Sequence, residues 1–180
     1  LSTLSQQGKA EVIAAYGRRF CLDTLVETGT YRGDMVAACL PHFRRVFSIE
    51  LGEELAREAG ERFKHDGNVT IACGDSGSLL VAVLALMQEP CLIWLDAHYS
   101  GGDTALGKFV TPVLDELKAV FALAKPGSVV LIDDARDFCP EKGHPPLAGT
   151  LAVIRHRMPG YEAVVEDDII RVTPVELKHA

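Results

Sequence analysis

No apolar run in the 180-residue chain is longer than Leu79 to Met87, far short of the ~18 consecutive apolar residues that a membrane-spanning helix needs. A transmembrane helix is excluded. Excess positive charge is also missing: 18 Lys and Arg face 25 Asp and Glu, giving a net charge of −7. No long-range field therefore draws the molecule to nucleic acid or to an anionic membrane, and neither is expected as a partner. The first twenty residues, LSTLSQQGKAEVIAAYGRRF, lack the basic start, apolar centre and small-residue cleavage site of a signal peptide. The five cysteines, Cys21, Cys39, Cys73, Cys91 and Cys139, are odd in number and nowhere form a CxxC pair, which excludes zinc-finger and dithiol redox patterns. Cys73 and Cys91 lie in strand-like apolar surroundings and are expected to be small buried hydrophobes. A reducing, cytoplasmic setting is the expectation that follows.

What is present suits one folded domain. Hydrophobic residues make up 48% and charged residues 24%, enough apolar material for a core and far from the composition of disordered chains. We expect a single domain over 1–180, with an N-terminal helix within 1–20 and a core over 21–174. Periodicity predicts helices at 5–19, 33–41, 53–64, 112–123 and 147–158, and another through about Gln88 capped by Ser76 or Ser78, with Asp75 a further candidate cap. Between them fall extended runs at 24–27, 45–50, 69–73, 91–95 and 128–132, followed by a hairpin of 161–165 and 169–172 about Glu166-Asp167-Asp168. Strands alternating with helices require right-handed crossovers and a parallel sheet. The expected fold is a doubly wound α/β sheet of seven strands, mostly parallel, closed by an antiparallel hairpin. Ligands of such sheets bind beyond the C-terminal strand ends, at the switch in strand order.

At the first strand end stands Glu27-Thr28-Gly29-Thr30-Tyr31-Arg32-Gly33, whose two glycines allow a tight turn and close backbone approach to a ligand. The second strand ends at Glu50, about twenty residues on, where a carboxylate can accept both hydroxyl hydrogens of a ribose. GxGxxG is absent, since Tyr31 stands two places after Gly29, and so is GxxxxGK[ST]. A pyrophosphate loses its usual seat, which weighs against an NAD-dependent oxidoreductase and a P-loop enzyme. A nucleoside cofactor without phosphate is left.

In order and spacing, Glu27-x-Gly29-x-Tyr31-x-Gly33, Ser48-Ile49-Glu50, Gly74-Asp75-Ser76, Leu95-Asp96-Ala97-His98 and Ile132-Asp133-Asp134 resemble the motifs of class I S-adenosylmethionine-dependent methyltransferases. The resemblance is to catechol-type O-methyltransferases and to the metal-dependent, macrocin-type sugar O-methyltransferases of antibiotic biosynthesis, and it covers residues 20 to 173. It implies that Glu27 and Gly29 hold the amino-acid end of S-adenosylmethionine while Tyr31 and Gly33 shape the turn. Glu50 would take the ribose, Asp75 and Ser76 would lie beside the adenine, and Asp96 would border both cofactor and metal. Asp96, Asp133 and Asp134 match positions that supply oxygen ligands for Mg²⁺. The catechol-type pattern has Asn at the third ligand, so Asp134 is closer to the sugar-modifying group.

Methyl transfer to oxygen needs a nucleophile held in line with the sulfonium methyl, and a hard cation bound by carboxylates can orient a hydroxyl and lower its pKa. His98 is a candidate general base; the Lys that catechol-type enzymes carry in this loop has no counterpart before Lys108. The acceptor class is a small molecule or a sugar. With little room for a cap domain, part of its pocket would come from the N-terminal helix or from a second subunit in a homo-oligomer. Two other readings stay open: a metal-independent methyltransferase with His98 as base, and a non-catalytic cofactor-binding module that acts through protein partners.

Overall fold

The structure is a computed structural model, and it describes residues 3–96 and 111–175. Seven strands form one sheet: β1 (Thr24–Thr28), β2 (Arg45–Glu50), β3 (Val69–Cys73), β4 (Leu92–Leu95), β5 (Val129–Ile132), β6 (Tyr161–Glu166) and β7 (Ile169–Pro174). Their order is β3-β2-β1-β4-β5-β7-β6, with β7 antiparallel to both neighbours and the other pairings parallel. The direction of building reverses between β1 and β4, so the crevice above those two strands is the ligand position for this topology. The hairpin turns through Asp167 and Asp168 at φ 50° and 67°, the left-handed pair of a type I′ turn that matches strand twist.

Alternation along the strands feeds two cores. Val26, Ile93, Val130 and Ile132 pack with α4 (Ser76–Leu86), α5 (Val113–Leu123) and α6 (Leu147–Arg157). On the other face Leu25, Leu92, Trp94 and Leu131 pack with α1 (Gln6–Arg19), α2 (Asp34–Cys39) and Phe63, which closes α3 (Glu53–Arg62). Trp94 is fully buried and belongs to this core. The first turn of α1 is capped by Ser5, whose side chain accepts from Gly8 N. No helix among the described residues is long and apolar enough to cross a membrane.

One of the cap candidates is selected, and one local expectation changes. Asp75, rather than Ser76 or Ser78, caps α4 by accepting from Ser78 N at 3.0 Å, because its carboxylate reaches the open first-turn amides. Cys73 is exposed while Cys91 is buried, because β3 is an edge strand and β4 is central.

Candidate active site

Period two carries a side-chain direction one residue past a strand end. Glu27, Asp96 and Asp133 thus share the face of Leu25, Trp94 and Leu131, on three adjacent strands under α1. Each position continues the sheet: Asp96 N donates to Thr28 O and Asp133 N to Leu95 O.

Glu27 is buried, and Ser48 Oγ donates to its Oε2 at 2.5 Å, with Thr30 Oγ1 a further 2.5 Å from Ser48 Oγ. Burial, with lesser contributions from Asp96 and Glu50, pushes the Glu27 carboxyl up to about 8. The turn above it runs through left-handed backbone at Gly29, Tyr31 and Gly33, at φ 85°, 49° and 77°. At Gly33 a side chain is also barred by space, since a Cβ would stand 2.6 Å from Phe63 Cε2. Glu50 fixes this turn from β2, accepting from Tyr31 N at 2.7 Å and from Gly52 N at 2.8 Å.

Beyond β4 and β5 the oxygens of Asp96, Asp133 and Asp134 lie within 4.8 Å of one another. Asp133 and Asp134 are buried rather than solvated turn residues. Asp134 adopts φ 50°, uncommon for a residue with a side chain and a mark of imposed geometry. Its N–H donates to Asp133 Oδ1 at 2.9 Å, and Arg136 Nη2 lies 2.9 Å from its Oδ1. Arg136 is held in turn by Asp168 of the hairpin turn, which accepts from both its backbone N–H and its guanidinium. Burial, then the neighbouring Asp96, raises the Asp133 carboxyl to about 7, against the opposing pull of Lys9.

Lys9, at the end of the first turn of α1, is a member of the site that sequence reading missed. Its ammonium hydrogen-bonds Asp133 Oδ2 and stands 3.9 Å from Asp134 Oδ1. Burial by itself would lower the Lys9 pKa, but Asp133, Asp96 and Asp134 outweigh it and the pKa is raised. Lys9 is thus a held cation and no proton acceptor at neutral pH.

Glu116 was missed as well. It projects from α5 into the other core, 1% exposed, and its Oε1 has no hydrogen-bond partner. Burial raises its carboxyl to about 7, while hydrogen bonds from Ser76 and Thr28 oppose the rise. Ser76 is itself buried at the start of α4 beside Asp75, so Glu116 braces the motif read as the adenine wall. The signal for Lys9 and Glu116 lay in helices, where Lys and Glu are ordinary surface residues. His98 lies outside the described residues.

A separate cavity of about 760 Å³, lined by residues including Phe20, Asp23, Arg44 and Pro90, opens at the opposite end of the strands and touches none of these groups.

This strand order, with one antiparallel strand inserted next to last, defines the Rossmann-like fold of class I S-adenosylmethionine-dependent methyltransferases. Among solved structures, the chain is similar to the S-adenosylhomocysteine-bound methyltransferase PaMTH1 of Podospora anserina, at 16% identity and TM-score 0.66 over 93% of this chain and 78% of that one. It is similar to the O-methyltransferase TomG of Streptomyces achromogenes in complex with S-adenosylmethionine, at 16% identity and TM-score 0.67 over 93% and 79% of the two chains. An S-adenosylhomocysteine-bound O-methyltransferase from Bacillus cereus gives 15% identity and TM-score 0.67 over 92% and 80%. By sequence the chain matches no protein-family model and no curated protein.

Proposed function

We propose that the protein transfers the methyl group of S-adenosylmethionine to a hydroxyl of a small molecule or sugar. The observation that carries this reading is the row Glu50, Glu27, Asp96 and Asp133 on the adjacent strands β2, β1, β4 and β5 of a sheet whose similar solved structures include an S-adenosylmethionine complex. The donor set fits the cofactor: a buried carboxyl at Glu27 for an ammonium, a carboxylate at Glu50 for ribose hydroxyls, and a turn at Gly29–Gly33 that leaves the backbone bare. Asp75 and Ser76 would border the adenine.

The bound cofactor would supply an electrophilic sulfonium methyl. The chain's own part is positioning: Glu50 locks Tyr31 and the turn, Glu27 takes the amino end, and the Asp96–Asp133 edge faces the acceptor. His98, two places beyond Asp96, is the proposed base for the acceptor hydroxyl.

Three carboxylate oxygens within 4.8 Å fit a hard divalent cation such as Mg²⁺, which would polarise an acceptor oxygen there. Asp96, Asp133 and Asp134 would hold it. A metal-independent form of the same reaction draws support from Lys9 and Arg136, which already bring two positive charges to the three carboxylates. Equal turnover with and without EDTA would decide for that form. The free cysteines suit the reducing, cytoplasmic setting we propose.

Calorimetry with S-adenosylhomocysteine tests the cofactor, with micromolar binding expected. Mass spectrometry against a library of hydroxylated acceptors tests the transfer, reading a gain of one methyl group. Tight binding with no product across the library would favour instead a non-catalytic module acting through partner proteins.

A further inference from the structure

We infer that Lys9 is the resident counter-ion of the Asp96, Asp133 and Asp134 cluster and competes with a divalent cation for it, so that metal entry loosens the first turn of α1. This rests on the metal site proposed above.

Competition follows from which atoms are engaged. Asp133 Oδ1 accepts from Asp134 N, and Asp133 Oδ2 accepts from the Lys9 ammonium. Each oxygen of the central ligand thus already accepts one hydrogen bond, and of the two donors only the lysine side chain can leave, because the amide belongs to the turn after β5. At Asp134, Arg136 holds the same Oδ1 that Lys9 approaches at 3.9 Å. The ammonium therefore lies among the oxygens that would hold an incoming ion, and a dication beside a retained ammonium would meet strong like-charge repulsion.

The consequence for α1 comes from its burial pattern. Ala10, Ile13, Ala14 and Gly17 are buried and anchor the helix, whereas Gln6 and Gln7 are exposed and Gly8 is only half-buried. Ahead of Ala10, Leu4 packs against the same core, and the lysine side chain, 17% exposed, is the polar tie from the helix start to the strand ends. A cation that takes over Asp133 removes that tie, and the helix start sits above the proposed acceptor edge.

Mn²⁺ binding followed by electron paramagnetic resonance, on the wild type and on Lys9→Met, tests the inference. Methionine keeps most of the length and the apolar stem of the side chain and removes the charge. If the lysine-displaced state is about a tenth of the population, Lys9→Met binds Mn²⁺ about tenfold more tightly. In the wild type, hydrogen exchange over residues 5–9 rises when Mn²⁺ is added. Equal or weaker Mn²⁺ affinity in Lys9→Met, with S-adenosylhomocysteine binding retained as the check on folding, overturns the competition. If neither protein binds Mn²⁺ up to millimolar concentration, the metal site itself is lost and this inference with it, while retained S-adenosylhomocysteine binding leaves the cofactor reading standing.

Discussion

Glu50 Oε2 accepts the backbone N–H of Tyr31 at 2.7 Å, so the carboxylate read as a ribose ligand also holds the turn that must approach the cofactor. Its other oxygen accepts from Gly52 N, tying the same side chain to the start of α3. Loss of this carboxylate should therefore act twice. Glu50→Ala is expected to lower stability by about 1–3 kcal/mol, the worth of two part-buried hydrogen bonds to a charged acceptor. S-adenosylhomocysteine affinity should fall about a hundredfold or more in calorimetry. Unchanged affinity would remove Glu50 from the cofactor site.

Glu27 gives a pH signature with a definite sign. Its carboxyl is raised from 4.5 to about 8 in the folded protein, so between those values the native state holds a proton that the unfolded chain has released. Its contribution to stability is full below the unfolded pKa and is lost as pH rises through about 8. Denaturant titrations at pH 5, 7 and 9 should show this decline, and Glu27→Gln should flatten it. An ammonium seated on Glu27 reverses the preference, so S-adenosylhomocysteine binding at pH 7 should release a proton, close to one per site, in buffers of differing ionisation enthalpy. Glu27→Gln should abolish the release.

Glu116 adds a second, lower window. Its carboxyl is raised to about 7 by burial, so it too favours the folded state at acid pH and loses that effect as pH rises through neutrality. Glu116→Gln should retain contacts with Ser76 and Thr28 and be more stable than the wild type at pH 8. Equal stability of the two proteins from pH 5 to 8 would mean that Glu116 stays ionised in the fold.

Glycines separate by what surrounds them. Gly33→Ala should destabilise by about 1–3 kcal/mol, because φ is +77° and the new methyl meets the Phe63 ring. Gly60→Ala, within α3 and with nothing within 4 Å of its added carbon, should stabilise by about 0.5–1 kcal/mol through helix propensity. Chemical denaturation of the two variants side by side checks both signs.

Asp168 supports the acidic cluster at one remove. Asp168→Ala takes away the acceptor of Arg136 N and of its guanidinium and should cost about 2–3 kcal/mol. Asp168→Asn retains the turn geometry and one acceptor, so its loss should be smaller. Equal losses in the two variants would show that the turn conformation, rather than the Arg136 contacts, sets the cost.

By itself the sequence determined the order of elements and which acids end which strands, because both are written in local terms: period two or 3.6, turn residues, and carboxylates next to apolar runs. That is why strands 45–50 and 69–73 agree with β2 and β3 to the residue, and why the places of Glu27, Glu50, Asp96 and Asp133 at or beside strand ends are legible from local pattern. Tertiary structure alone decided what meets those acids. Lys9 is 124 positions from Asp133, and Asp168 lies 32 from Arg136. No local pattern marks such pairs, because charge balance in a buried cluster depends on which helix face the fold lays over it. The same holds for Glu116, an ordinary helix residue until α5 turns it inward against Thr28 and Ser76.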